Sequence, residues 1–172
     1  MRKSIALFII TIIISSCTQR EKITEVQKEE ITKEINILLD NWHTAASKAN
    51  YSNYFNVLTA ESVYIGTDAA EIWNKEAFSS FSKPYFDRGR AWSFNALNRN
   101  IYFSKSVDVI WFDELLDTWM GLCRGSGVLE KTDKTWKIKH YVLSVTVPND
   151  NINAVISINK DHDSIYKLNN FE

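Results

Sequence analysis

The chain has 172 residues, 45% of them hydrophobic, and a formal net charge of −1. That length suits one domain able to fold on its own core, and 20 basic against 21 acidic residues exclude the basic footprint of a nucleic-acid binder. Six Trp, seven Tyr and nine Phe supply ring area for a substantial core, a lined cavity, or both.

The chain opens with Arg2 and Lys3, an apolar run from Ile5 to Ile14, then Ser15, Ser16 and Cys17. The run, about ten residues long, falls short of the roughly 20 needed to span a bilayer as a helix. Positive charge, a short apolar stretch and small residues make a signal peptide. Ile14-Ser15-Ser16-Cys17 resembles a lipobox, in which the cysteine is acylated and becomes the new N-terminus. Residues 1–16 are therefore expected to be a lipoprotein signal and 17–30 a polar tether. Lipid on Cys17, palmitate among it, would anchor the chain to a bacterial membrane in the cell envelope, facing the periplasm. An ordinary secretory signal with an incidental cysteine is the alternative. Cys123 is the only other cysteine, so a lipidated Cys17 leaves no internal disulfide.

From Ile31 the apolar spacing is helical, through Ile35, Leu38, Leu39, Trp42, Ala46 and Ala49, and a second, shorter helix covers Tyr51 to Leu58. His43, about 100° around the helix from Trp42, is expected to be exposed. Ser62 to Thr67 has strand character. The turn Gly66-Thr67-Asp68 leads into a third helix carrying Trp73, Ala77, Phe78 and Phe81 and ending before Pro84. Four strands follow: Trp92–Phe103, Val107–Thr118, Leu122–Lys131 and Trp136–Val147. Short polar turns between them imply antiparallel neighbours. Pro148 ends the sheet, and residues 149–172 are expected to form a short helix near Ile152–Ile158 and a polar tail. Helices followed by strands make an α+β domain, and strands this long twist and curl.

Gly66-Thr67-Asp68 with Glu71 and Trp73 resembles a GTD..E.W pattern. Val107 to Phe112 resembles a gDvAWf strand. Arg124 to Leu129, followed by Trp136 to Tyr141 and Ser144, resembles a closing hairpin, r.t.vL…WkI.hy..S. Together these identify residues 31–148 as similar to a SnoaL-like domain of the nuclear transport factor 2-like (NTF2-like) superfamily. The resemblance implies a cone-shaped fold, with N-terminal helices packed on a strongly curved, mainly antiparallel sheet around a pocket. It also implies dimerisation through the sheet's outer face, and either isomerase or dehydratase chemistry or ligand binding without catalysis. The carboxylate base that ketosteroid-isomerase-like relatives carry on the first strand has no counterpart at Tyr64-Ile65.

Strand alternation divides the last strand into Trp136, Ile138, His140, Val142 and Ser144 on one face, and Lys137, Lys139, Tyr141, Leu143 and Val145 on the other. By the resemblance the first row faces the pocket. His140 is then a candidate acid or base, or a histidine satisfied by a neighbouring carbonyl or carboxylate. Arg124, Ser126 and Val128 share a face; Arg124 suits a ligand carboxylate or a strand neighbour, Glu114 or Asp113. Gly125 and Gly127 leave their face bare for close approach, by a partner subunit for example. The central strand's two rows, Val109-Trp111-Asp113 and Ile110-Phe112-Glu114, both mix apolar and acidic residues, so the pattern does not choose between them. Trp42, Tyr54, Tyr64, Trp73, Trp92, Trp111 and Trp136, with Arg124 and His140, are the candidate pocket residues; plain core packing is the alternative for the rings. The histidines are scattered and lack ligand spacing, and no phosphate or dinucleotide motif occurs, so neither metal nor cofactor is expected.

The sequence reading is thus a membrane-tethered binding or accessory domain, non-catalytic, for a small apolar or weakly acidic ligand. A small-molecule isomerase, dehydratase or hydrolase using His140 is one alternative. A dimerising interaction module using the Tyr141-Leu143-Val145 row is the other.

Overall fold

A computed structural model describes residues 23–172. The signal 1–16, Cys17 and the first part of the tether lie outside the described residues. Among the described residues no helix is long and apolar enough to cross a membrane.

Helix α1, Glu25–Ser47, begins six residues before Ile31. Thr24 and Gln27 form a reciprocal capping box: the Thr24 hydroxyl accepts the Gln27 N–H at 3.2 Å, and the Gln27 side chain accepts the Thr24 N–H at 2.9 Å. These bonds satisfy free donors of the first turn, so the helix starts inside the polar stretch read as tether. Its buried stripe is Ile35, Leu39, Trp42, His43, Ala45 and Ala46. His43 is buried, not exposed as its angle from Trp42 suggested, because the burial extends around α1 beyond the stripe set by the large apolar residues. Asn50 then caps the short α2, Tyr51–Asn56.

Strand β1, Leu58–Ile65, pairs antiparallel with a three-residue β2, Ile72–Asn74. Asn74 caps α3, Lys75–Asp87, accepting the Ala77 N–H at 2.8 Å. The helix runs past Pro84 rather than ending before it. The proline removes one hydrogen bond, while buried Phe86 anchors the last turn.

Four long strands follow: β3 Asn95–Phe103, β4 Val109–Thr118, β5 Gly121–Thr132 and β6 Thr135–Val145. The sheet order is β2-β1-β6-β5-β4-β3. Only β1 and β6 run parallel; the other neighbours are antiparallel. The result is the expected α+β architecture, with N-terminal helices on a six-stranded, mainly antiparallel sheet.

One irregularity sets which side chains meet the helices. Leu129 pairs with Ile138 and Val128 with His140, leaving Lys139 as an extra residue on β6. A bulge reverses the alternation beyond it. Trp136 and Ile138 point inward before it, and Tyr141 and Leu143 after it. His140, Val142 and Ser144 therefore share the outer face. On β4 the inward row is Ile110, Phe112, Glu114 and Leu116.

After Pro148 a short 3-10 turn leads into α4, Ile152–Phe171. The expected short helix and tail are one long helix. It buries no residue, and the Tyr166 hydroxyl donates to the Ala69 carbonyl at 3.1 Å.

Candidate ligand-binding cleft

The interior of the cone is filled by its own rings. Trp42 stacks on Tyr54 at 5.1 Å between centroids and meets Tyr141 edge-on at 4.8 Å. Tyr54 in turn meets Trp92 edge-on at 5.4 Å. Trp42, Tyr54 and Trp136 are core residues. Trp42 and Trp136 also border a separate polar cleft where α1, α2 and the start of β6 meet.

Open space survives at the far end of the helical layer, as a cleft of about 350 Å³. Its floor is Tyr64, stacked on Phe78 at 3.9 Å, with Leu143 of β6. One wall is Trp73, stacked on Phe81 at 4.7 Å, with Tyr85 beyond it on α3. The opposite side is Trp92 and Phe94 from the segment before β3, and Trp119 and Met120 from the β4–β5 turn. Trp119 is 81% exposed. The volume lies within the range of small-molecule sites, which are mostly apolar with a few polar groups.

Among the described residues, the one charged residue lining this cleft is Glu71. The Gly66–Glu71 turn fixes it: Gly66 N–H donates to the Glu71 carbonyl at 2.9 Å, Asp68 N–H to Glu71 Oε2 at 3.3 Å, and Ala70 N–H to Asp68 Oδ1 at 2.8 Å. A Cβ on Gly66 would sit 2.1 Å from Glu71 Oε2, so the glycine is what lets the carboxylate fold under the turn. Burial, and after it the Glu71 charge, hold the Tyr64 phenol well above its ordinary range.

A second polar group is enclosed. Glu114 is 0% exposed. Its Oε1 bonds His43 Nε2 at 2.9 Å and accepts the Tyr141 hydroxyl at 3.0 Å; its Oε2 accepts Arg99 Nε at 2.9 Å. Arg99 reaches on to Asn36 Oδ1 and Asp40 Oδ1, each at 3.0 Å. Burial pushes the Glu114 carboxyl up, but His43 and Arg99 outweigh it and hold the carboxyl below its ordinary value. The Tyr141 phenol is pushed well up by burial and then by Glu114. Each oxygen of Glu114 is taken by the fold, so the group joins α1, β3, β4 and β6 rather than presenting a free base.

Of the residues expected around a pocket, Tyr64, Trp73 and Trp92 line the cleft. Trp111 lies on the sheet's outer face, 45% exposed and stacked on Tyr102 at 5.9 Å. Arg124 is also outside, paired with Asp113 at 3.3 Å, so it offers the cleft no partner for an acidic ligand. His140 sits outside between Val63 and Val128, turned there by the Lys139 bulge. Gly125 and Gly127 face inward instead of toward a partner. A Cβ on Gly125 would meet the Tyr141 hydroxyl at 2.2 Å, and one on Gly127 the His140 carbonyl at 2.6 Å. Sequence reasoning missed Glu114, His43 and Arg99 as a unit, and Phe78, Phe81, Tyr85, Phe94 and Trp119 as cleft walls.

N-terminal helices across one face of a six-stranded, mainly antiparallel sheet give an α+β fold similar to that of NTF2-like proteins. Solved structures agree. An NTF2-like protein of unknown function from Pseudomonas putida KT2440 is 12% identical, with a TM-score of 0.58 over 70% of this chain and 90% of that one. A proposed dehydratase of the NTF2-like family from Streptomyces avermitilis is 8% identical, with a TM-score of 0.60 over 70% and 99%. The association domain of C. elegans CaMKII is 20% identical, with a TM-score of 0.52 over 70% and 96%. At these identities the likeness concerns the fold alone. No curated protein matches the chain. Residues 35–148 match the SnoaL-like domain, and the chain belongs to that family.

Proposed function

We propose that this SnoaL-like protein is a non-catalytic binding domain for a small, flat, mostly apolar molecule, held at a membrane by lipid on Cys17. The observation that carries the reading is the open aromatic cleft beneath Trp119, combined with a polar group at Glu114 whose oxygens are already engaged. His140, the candidate base, is on the opposite side of the sheet, which weighs against the enzymatic alternative.

The test is a thermal-shift screen of the full chain in dodecyl maltoside micelles. A ligand at 100 times its Kd stabilises by about 2.7 kcal/mol. Trp119→Ala, which removes only an exposed ring, should weaken that stabilisation. If no compound class shifts the transition, the binding reading fails. The anchor is tested separately: Cys17→Ser should abolish palmitate incorporation and release the protein from membranes. Unchanged membrane association of that variant would refute the lipid anchor.

A homodimer is the second reading, favoured by the exposed Trp111–Tyr102 pair on the outer face. Light scattering should then report a dimer that Trp111→Glu dissociates; a monomer at concentrations well above micromolar would refute it.

A further inference from the structure

We propose that the ligand of the aromatic cleft is an organic cation, an amine or quaternary ammonium compound, recognised by ring faces and by the Glu71 carboxylate. This rests on the binding reading above and adds the charge of the ligand.

The lining is strongly asymmetric in charge. Trp73, Phe81, Tyr85, Trp92 and Trp119 offer rings, and among the described residues Glu71 is the only charged residue lining the space, with no Lys or Arg. A ring face carries partial negative charge and attracts cations, most strongly where water is excluded. An anion would meet the same faces and a like charge, with no basic residue among the described lining to offset either.

Glu71 is available for this role. Its Oε2 accepts the Asp68 N–H at 3.3 Å, and Oε1 accepts no hydrogen bond among the described residues. The turn therefore uses one oxygen and leaves the other. One of these rings already meets a cation: the Arg88 guanidinium lies 4.7 Å from the centroid of the Tyr85 ring.

The experiment uses the full chain in dodecyl maltoside and three probes sharing one branched head. These are acetylcholine, its uncharged isostere 3,3-dimethylbutyl acetate, and the anion 3,3-dimethylbutanoate, each titrated by tryptophan fluorescence. The cation is expected to bind about tenfold or more tightly than the isostere, and the anion more weakly than either. Glu71→Gln keeps an oxygen to accept the Asp68 N–H, so it should fold, and should bring the cation close to the isostere without altering the isostere's own affinity. Trp119→Ala should weaken the cation and the isostere together. Equal affinity for all three probes, tighter binding of the anion, or an unchanged preference in Glu71→Gln overturns the charge assignment and leaves the binding reading standing. Silence from all three probes overturns the charge assignment as well; the binding reading falls only if the thermal-shift screen is also silent for every compound class.

Discussion

Replacing Glu114 by Gln tests whether the enclosed quartet is the clamp that fastens α1 to the sheet. The substitution preserves shape and removes charge. Glu114 has no solvent to turn to, being 0% exposed, and its three partners are His43, Tyr141 and Arg99 at 2.9–3.0 Å. The amide would direct a donor at one of these donors and leave the Arg99 guanidinium, itself enclosed, with only the solvent-exposed Asp40 carboxylate as counter-charge. Breaking a buried pair on one side costs about 3–5 kcal/mol. Against a domain stability of about 5–15 kcal/mol, that is a large fraction. At about 2–4 °C per kcal/mol for a domain of this size, the melting temperature should fall by roughly 6–20 °C. The assay is calorimetric and urea unfolding of native chain and variant, with Asp113→Asn as the control. Asp113 pairs with Arg124 on the partly exposed outer face, where an ion pair contributes about 0–1 kcal/mol. A Glu114→Gln variant within about 1 kcal/mol of the native chain would refute the clamp.

Acid should act through the same group. Because Glu114 is held below its ordinary value of 4.5 in the fold, it stabilises the protein above that pH, and this contribution is lost as pH falls through the folded value. Urea midpoints should therefore drop below about pH 4.5 and do so less steeply in Glu114→Gln; parallel profiles would contradict this. Gly127→Ala should cost about 1–3 kcal/mol, since its Cβ would lie 2.6 Å from the His140 carbonyl and 2.8 Å from the Phe112 ring; unfolding in urea measures it. Deleting residues 149–172 should change stability by less than about 1.5 kcal/mol, the scale of the Tyr166–Ala69 hydrogen bond, because α4 buries no residue.

The sequence carried the fold where periodicity is continuous. Ile35, Leu39 and Trp42 repeat at helical steps and are the stripe of α1, and the polar turns at 104–106 and 132–135 separate antiparallel strands. It failed where one residue changes the parity. Nothing in Trp136–Val145 marks Lys139 as a bulge, and that single residue moves His140 out and Tyr141 in. The helix at 152–171 is legible only in its first part for a different reason: Ile152, Val155 and Ile156 and then Ile165, Leu168 and Phe171 repeat at helical steps, but the polar run 159–164 separates them. A signal for the quartet did exist. Glu114 shares its row with Ile110, Phe112 and Leu116, and a carboxylate in an otherwise apolar row demands buried partners. Which partners answer it, Arg99 on the next strand and His43 on α1, depends on packing that strand patterns do not encode. Tyr64 and Trp73 were legible as wall residues because their rings flank the turn motif, whereas Trp92 had only its large ring to mark it. Trp42, Tyr54 and Trp136 look the same in sequence but lie deep in the core.

The most direct measurement is a proton–nitrogen spectrum of the six indole N–H groups while a library of small ring-bearing and amine compounds is added. Ligands in the cleft should move the signals of Trp73, Trp92 and Trp119 and leave Trp42, Trp111 and Trp136 where they were. Signals that never move, or that move first for Trp111 or Trp136, would contradict a receptor built on this opening.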